Sequence, residues 1–184
     1  MYSTRGFMKN KLIIITGPKH SGKSCTALVL GQITKREAVD LDEIVERQTG
    51  KSPRELYKEG PELFRKAEAL ALISLTQKPE SSGLIIAAGG GLIDNTDALE
   101  ILAQHKEIVT VYLEVSPETA WQRILQTASG KELPPFLNTE NPRETHFALH
   151  QRRGEAYKTL AQITVSGENR SPEQIAREIA ELLS

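Results

Sequence analysis

The sequence predicts an α/β fold in which helices cover both faces of a central, mostly parallel sheet of five strands, giving three layers. Short apolar runs alternate along the chain with segments of helical periodicity, which is typical of parallel sheets buried between helices. A glycine-rich segment directly follows the first apolar run, as in a strand–loop–helix unit. The 184 residues suit one domain with a sizeable core.

The predicted elements follow one another in a regular order. Strands are expected at residues 11–16, 38–40, 84–88, 108–115 and 163–165. Helices are expected at residues 24–35, 42–48, 61–77, 95–105, 117–127, 143–160 and 172–183. Two helix starts are well marked, because Ser116-Pro117 and Ser171-Pro172 each place a capping hydroxyl before a proline suited to the first helical position.

No internal repeat or low-complexity tract divides the chain. We therefore expect an N-terminal extension at residues 1–10 and a single domain at residues 11–184. One connection is unusually long, because residues 128–143 combine Gly130, Pro134 and Pro135 with further turn-forming residues. A loop of this length in a domain with short connections predicts a mobile lid or a disordered segment.

Charge and hydropathy narrow the classes of partner. The formal net charge of -1 gives no electrostatic footprint for nucleic acid, and no apolar run approaches the ~20 residues that a membrane span needs. The single cysteine cannot form an internal disulfide, and the N-terminal residues lack the apolar middle region of a secretory signal. We therefore expect a cytoplasmic monomer that binds a small molecule.

Residues 17–24, with the sequence GPKHSGKS, match the phosphate-binding loop pattern (P-loop). The glycines let backbone N–H groups close around phosphate oxygens, and the following helix points its positive end at the same anion. Lys23 would neutralise the β- and γ-phosphates, and Ser24 would offer its hydroxyl to Mg²⁺. The pattern predicts a nucleoside triphosphate site. Cys25 follows in the helix and is expected to pack as a small residue, the alternative being a thiol whose pKa the helix N-terminus lowers.

Two further motifs lie at predicted strand ends, where ligands bind in open parallel sheets. Asp40 would help to hold the Mg²⁺ shell, and Asp42 would accept a hydrogen bond from the attacking hydroxyl of a substrate, or would merely begin the next helix. Three consecutive glycines, Gly89, Gly90 and Gly91, allow either close approach of a ligand to the backbone or a tight turn.

In this order the motifs resemble those of the shikimate kinases, small P-loop enzymes that use ATP to phosphorylate a hydroxyl of the cyclic carboxylate shikimate. The resemblance spans residues 11–183. It rests on these features: the P-loop, Asp40-Leu41-Asp42, Thr49-Gly50-Lys51-Ser52, Phe64-Arg65 with Glu68, the triple glycine, and Arg153 four residues before Tyr157.

The resemblance implies a role for each matching residue. Asp42, Arg65, Gly89, Gly90, Gly91 and Arg153 would surround the substrate, with the two arginines clamping its carboxylate and Asp42 acting with Lys23 in catalysis. ATP would be bound by Gly17, Lys19, His20, Ser21, Gly22, Lys23, Ser24, Cys25 and Arg170, and Mg²⁺ would be held by Ser24 and Asp40. The residues alone favour an ion pair of Arg65 with Glu68 on a helix face and a solvated helix end for Arg153, and only the resemblance reverses this preference. For Arg170, a loop charge and a place in the adenine pocket are equally compatible with the sequence.

The sequence departs from the family pattern at four places. Pro134 stands where the family has a lid arginine that reaches the transferring phosphates, and Lys131 and Arg143 flank the gap. Gln126 stands where an arginine usually lies near the adenine. In the P-loop, His20 stands beside Lys19 where the family commonly has a glycine. These two side chains could compensate for the positive charge lost from the lid, and His20 is expected to titrate near neutrality. Gly154-Glu155-Ala156 replaces an apolar stretch, and Glu155 would bring a negative charge close to the carboxylate clamp.

Three hypotheses follow. The first is an active kinase of shikimate, the second a kinase of another hydroxylated acid, and the third a module that binds nucleotide and ligand without catalysis. The altered lid and Glu155 favour the second hypothesis, and the missing lid arginine favours the third.

Overall fold

Strand β1 (Ile13–Thr16) forms the centre of a sheet in a computed structural model that describes residues 11–77, 83–128 and 132–184. The other strands are β2 (Ala38–Asp40), β3 (Ile85–Ala87), β4 (Val109–Glu114) and β5 (Ile163–Ser166). They lie in the order β2-β3-β1-β4-β5, and every pairing is parallel. The predicted five-stranded sheet is confirmed.

Eight α-helices and two short 3-10 helices connect the described strands. The α-helices are α1 (Lys23–Thr34), α2 (Leu41–Thr49), α3 (Pro53–Glu59), α4 (Pro61–Thr76), α5 (Thr96–Gln104), α6 (Pro117–Thr127), α7 (Pro142–Leu160) and α8 (Pro172–Leu182). The 3-10 helices span Leu92–Asp94 and Pro135–Leu137. None of the described helices is long and apolar enough to cross a membrane.

The sheet is buried on both faces. Ile14 packs into an apolar cluster with residues of α2, α4 and α5, whereas its neighbours Ile13 and Ile15 pack into a second cluster with residues of α1 and α8. All three isoleucines are fully buried. This alternation along one strand explains why the first strand reads as a continuous apolar run rather than an alternating one.

Helix α3 is an element that the sequence analysis did not predict. The Ser52 hydroxyl accepts a hydrogen bond from the backbone N–H of Glu55, and the Glu55 carboxylate accepts one from the backbone N–H of Ser52. The pair Ser52-Pro53 is the same kind of start signal as Ser116-Pro117 and Ser171-Pro172, and the helix after Ser171 also has a capping box. The sequence therefore contained the information for this helix.

The described part of the predicted lid packs against the rest of the molecule. Leu137 is fully buried in a cluster with Trp121 and Ile124 of α6. Helix α7 begins at Pro142, one residue before the predicted start. Residues 129–131, which include Lys131, lie outside the described residues, as do residues 1–10. The mobility of the lid stays a prediction.

Candidate active site

The sequence motifs converge because they follow neighbouring parallel strands. The P-loop follows β1, Asp40 ends β2, and Gly89 comes two residues after β3. Since β3 pairs with both β1 and β2, the three motifs meet at one edge of the sheet. Two adjoining cavities open at this edge and share part of their walls.

We call the first the P-loop cavity, which has a volume of about 460 Å³. It is lined by Lys19, His20, Gly22, Lys23, Ser24, Cys25, Asp40, Asp42, Ala88, Gly89, Gly90, Arg123, Gln126 and Thr127. We call the second the acceptor cavity, with a volume of about 340 Å³. It is lined by Lys19, His20, Asp42, Pro53, Arg54, Tyr57, Phe64, Gly89, Gly90, Gly91, Ile124, Thr127, Ala128, Glu132, Pro134, Pro135, Phe136 and Arg153.

The P-loop adopts a backbone that requires its glycines. Gly17 has φ +145°, and a Cβ atom there would lie 2.5 Å from the carbonyl oxygen of Leu113. Gly22, which precedes α1, has φ +104°. A side chain at either position would be strained, so the loop can follow this path only with glycine.

Lys23 is buried at the base of the P-loop, and its Nζ donates a hydrogen bond to the carbonyl of Pro18 at 2.8 Å. Burial lowers the pKa of Lys23 to about 8, although the nearby Asp42 carboxylate opposes this shift. The Lys23 ammonium group is therefore desolvated and only partly neutralised by nearby carboxylates. A bound phosphate would stabilise its charged form.

His20 does not behave as the sequence analysis expected. Burial, together with the positive charges of Lys19 and Lys23, lowers the pKa of His20 to about 4. The expectation that His20 titrates near neutrality is therefore wrong, because the imidazole is neutral at pH 7. In the free protein it adds no charge that could replace a lid arginine.

Ser24 and Asp40 lie together at the mouth of the P-loop. The Ser24 hydroxyl donates a hydrogen bond to Asp40 Oδ2 at 2.5 Å, while Asp40 Oδ1 accepts one from the backbone N–H of Asp42 at 3.0 Å. Asp40 therefore caps α2 with one oxygen and reaches the P-loop with the other. A hydroxyl and one carboxylate beside a phosphate site fit the ligands that Mg²⁺ prefers.

Asp42 and Glu68 direct carboxylate oxygens at the same point beside Gly89. A Cβ atom on Gly89 would lie 3.2 Å from Asp42 Oδ1 and 3.1 Å from Glu68 Oε1. Both oxygens are buried, and neither has a hydrogen-bond partner among the described residues. Burial raises the pKa of Asp42, with the Asp40 charge adding to the shift, and burial raises the pKa of Glu68 to about 7. Asp42 lines both cavities, so its unpaired oxygen can accept a hydrogen bond from a ligand, whereas Glu68 lines neither cavity.

Glu68 belongs to the motif that begins at Phe64-Arg65, but it was not predicted as a site residue. It is fully buried on α4, and its Oε2 accepts a hydrogen bond from Asn95 Nδ2 at 2.8 Å. Because acidic residues are almost never fully buried without partners, its position in the helix pattern could have drawn attention to it.

The Gly89–Gly91 turn approaches the P-loop closely. A Cβ atom on Gly90 would lie 3.0 Å from the backbone nitrogen of Lys19. The hydroxyl of Tyr157 on α7 donates to the carbonyl oxygen of Gly90 at 2.5 Å, and its ring stacks on Tyr112. These contacts fix the turn between the two cavities.

Arg153 faces the acceptor cavity and is held by Asp94. Its Nε donates to Asp94 Oδ2 at 2.8 Å, and the same carboxylate also binds Arg152 through both oxygens. Burial alone would raise the pKa of Asp94, but its bonds to the two arginines outweigh burial and hold the pKa below its usual range. Glu155 is exposed and is not among the residues that line the acceptor cavity, and its influence on the clamp stays a prediction.

The side chains of three predicted site residues line neither cavity: Ser21, which is buried in the P-loop, Arg65 and Arg170. The Arg65 guanidinium pairs with Glu62, three residues before it, rather than with Glu68. Arg170 pairs with Glu178 and donates to two backbone carbonyls around the β5–α8 connection. Their ligand roles stay predictions.

Two residues on α6 and α1 differ from expectation. Arg123, three residues before Gln126, lines the P-loop cavity with it and donates through Nη1 to the carbonyls of His20 and Ser21, at 3.3 and 3.2 Å. Helical spacing places the two side chains on one face, so Arg123 brings a guanidinium to this cavity one turn before Gln126. Cys25 is exposed in the P-loop cavity rather than packed, because Thr26, Ala27 and Leu30 occupy the buried face of α1.

The P-loop cavity adjoins an acceptor cavity that is lined by the Asp42 carboxylate and the Arg153 guanidinium. This arrangement places the molecule among the P-loop phosphotransferases that act on small molecules. A family model for shikimate kinase matches residues 19–184. The chain belongs to the shikimate kinase family.

Individual relatives agree over nearly the whole chain. Shikimate kinase from Vibrio parahaemolyticus is 33% identical over 172 residues, which are 93% of this chain and 95% of that protein. Shikimate kinase 1 from Yersinia pestis is 31% identical over the same share of each. A structure of shikimate kinase from Acinetobacter baumannii in complex with shikimate matches with a TM-score of 0.84 and 27% identity, covering 98% of this chain and 97% of that one. The predicted fold, family and enzyme class are confirmed.

Proposed function

We propose that the protein transfers the γ-phosphoryl group of ATP to a hydroxyl of shikimate, giving shikimate 3-phosphate and ADP. The observation that carries this proposal is Asp42. Its buried Oδ1 has no partner among the described residues, and its side chain lines both the P-loop cavity and the acceptor cavity. A carboxylate at such a junction can accept a proton from a hydroxyl in one cavity that attacks a phosphate in the other.

The P-loop cavity would bind ATP. Backbone N–H groups of the loop and the start of α1 would surround the phosphates, and Lys23 would leave the Pro18 carbonyl to bind them. Ser24 and Asp40 would hold Mg²⁺, which supplies positive charge to the phosphate oxygens when bound. Arg123 and Gln126 would border the base from α6.

Asp42 would act as the general base. Burial and the Asp40 charge raise its pKa, so it accepts a proton more readily than an ordinary aspartate does. The positive charges of Lys19 and Lys23 oppose this rise in the pKa of Asp42.

Arg153 would bind the carboxylate of the acceptor. Its planar guanidinium matches a carboxylate, and Asp94 fixes its orientation at the cavity wall. For Arg65 to join it, its side chain would exchange Glu62 for the acid. Arg65 and Glu62 are 38% and 74% exposed, and such surface pairs contribute only about 0–1 kcal/mol, so this exchange costs little.

Glu155 is exposed and does not line the acceptor cavity, so its negative charge alone does not favour a different acid as the substrate. The apolar rings and prolines of the acceptor cavity suit a compact ring with one charged group rather than a polyanion. We further propose that the enzyme acts as a cytoplasmic monomer, since a single cysteine and ordinary composition are typical of that compartment.

The test is a coupled assay of ADP release at saturating MgATP, with and without shikimate, and with a panel of other hydroxylated carboxylic acids. We expect ADP release to depend on shikimate and to be fastest with it. Release that is no faster than that of Lys23→Ala would instead support a binding module, and a faster rate with another acid would support the second hypothesis.

A further inference from the structure

The described lid residues bring no cation to the acceptor cavity. The lid side chains that line it are Glu132, Pro134, Pro135 and Phe136. Arg143, which the sequence analysis considered as a substitute, pairs with Glu118 and lies over the ring of Phe147, and it is not among the lining residues. A phosphoryl group in transfer spreads negative charge over its oxygens, and this charge needs cations around it.

A different element carries a cation to the same place. Arg54 is the second residue of α3 and lines the acceptor cavity together with Pro53 before it. The capping box of Ser52 and Glu55 fixes the first turn of this helix, so the backbone that carries Arg54 is well anchored.

Arg54 reaches from α3 to the lid. Its Nη2 donates to Glu132 Oε2 at 2.8 Å and to the carbonyl oxygen of Leu133 at 3.4 Å. Both bonds use one nitrogen, which leaves Nη1 and Nε for other acceptors. Arg54 and Glu132 are 41% and 77% exposed, so their ion pair is screened by solvent and easily exchanged for a bound anion.

The other cations that line this cavity are committed elsewhere. Arg153 is tied to Asp94, and His20 is neutral at pH 7 because its pKa is about 4. Lys19 lines both cavities from the P-loop, so it is shared with the nucleotide site. Among the described residues, Arg54 and Arg153 are the arginines that line the acceptor cavity, and of these two Arg54 pairs with a lid residue.

We propose that Arg54 is a catalytic residue that binds the transferring phosphoryl group from α3, after exchanging its contacts with Glu132 and Leu133 for the phosphoryl oxygens. This proposal rests on the proposed function. It predicts that positive charge at position 54, and not the Arg54–Glu132 pair as such, is needed for turnover.

The test compares steady-state kinetics of Arg54→Gln, Arg54→Lys, Glu132→Gln and the double variant Arg54→Gln/Glu132→Gln with those of the wild-type protein. Lys58→Gln is the matched control, because Lys58 lies on the same helix 3.6 Å from the same Glu132 oxygen but does not line the cavity. Thermal unfolding and MgATP binding of each variant check that the fold and the P-loop cavity are intact.

We expect Arg54→Gln to lower kcat about 100-fold, with the KM values of ATP and shikimate changed less than about threefold. Arg54→Lys should recover part of the loss, since lysine keeps the charge but not the fork of donors. Lys58→Gln should keep kcat near that of the wild type, and the loss in Glu132→Gln should be smaller than that in Arg54→Gln.

Three results would overturn the assignment. Unchanged kcat in Arg54→Gln would remove Arg54 from the reaction. Equal losses in Arg54→Gln, Glu132→Gln and the double variant would make it a residue that only positions the lid. A rise in the KM of shikimate at constant kcat would make it part of the acid clamp. If the wild-type protein itself fails to turn over shikimate, the proposed function fails and not this assignment alone.

Discussion

The two cavities are built in different ways. The P-loop cavity is formed by backbone and short side chains that follow directly from β1, β2 and β3, and its conformation is fixed by glycines and by the Lys23–Pro18 hydrogen bond. The acceptor cavity is bordered by longer side chains from α3, α7 and the lid, and its arginines are paired with carboxylates in the free protein. The backbone of the nucleotide half is therefore preformed, although the Lys23 side chain would change partner when phosphates bind. In the acceptor half, the arginines would have to exchange ion-pair partners to bind a ligand.

Removing the central cation of the preformed half should have the largest effect. We expect Lys23→Ala to lower kcat by about 10³-fold, because no other buried cation among the described residues lies at the P-loop. Coupled kinetics measure this loss, with Lys106→Ala, an exposed lysine away from both cavities, as the control. Near-normal turnover in Lys23→Ala would show that the P-loop does not carry the reaction.

Asp42 lies where the two halves meet, and its loss should be the next largest. We expect Asp42→Asn to reduce kcat about 100-fold while MgATP binding persists, since an amide cannot take the proton of the acceptor hydroxyl. Kinetics combined with calorimetry of MgATP binding separate the two effects. If kcat stays within twofold of the wild type, Asp42 has only a structural role in the first turn of α2.

The titration of Lys23 should give a smaller effect, confined to the P-loop cavity. Its pKa of about 8 lies below the ordinary value of 10.5, so the ammonium is charged below pH 8 and loses its proton as the pH rises through that value. Phosphates favour the charged form, so MgATP binding at pH 8.5 should weaken relative to pH 7 and take up protons. Calorimetry in two buffers of different ionisation enthalpy detects this uptake, and its absence at pH 8.5 would contradict the assignment.

The smallest effect concerns the stability of the acceptor half. Burial raises the pKa of Glu68 to about 7, so the folded protein favours protonated Glu68 and loses stability as the pH rises from about 4.5 to about 7. Glu68→Gln removes this loss and keeps an oxygen for Asn95. Thermal unfolding should show Tm raised by roughly 3 °C at pH 8 and little changed at pH 5. A lower Tm at pH 8 would mean that the negative charge stabilises the fold through Arg153 and Arg65.

Sequence reasoning succeeded where local patterns determine structure. The apolar runs gave all five strands, and the P-loop, Asp40 and Gly89 were placed together because parallel strands align their carboxyl ends. Helix α3 was missed although Ser52 and Glu55 signal it, which is a failure to apply a known pattern rather than a lack of information.

Other features were beyond a sequence reading because they depend on packing. Glu62 and Glu68 lie at equal spacing on either side of Arg65, and only the structure shows that Glu62 is the partner. The low pKa of His20 arises from burial and two lysines brought together by the loop. Likewise, the contact of Arg54 with Glu132 joins residues 78 positions apart in the chain.

The most direct test of the account is phosphorus-31 NMR of the wild-type protein incubated with MgATP and shikimate. We predict a new phosphomonoester signal on shikimate that grows in step with ADP and is absent with Lys23→Ala. Release of inorganic phosphate alone, or no change in ATP, would contradict the claim that the two cavities act together in phosphoryl transfer.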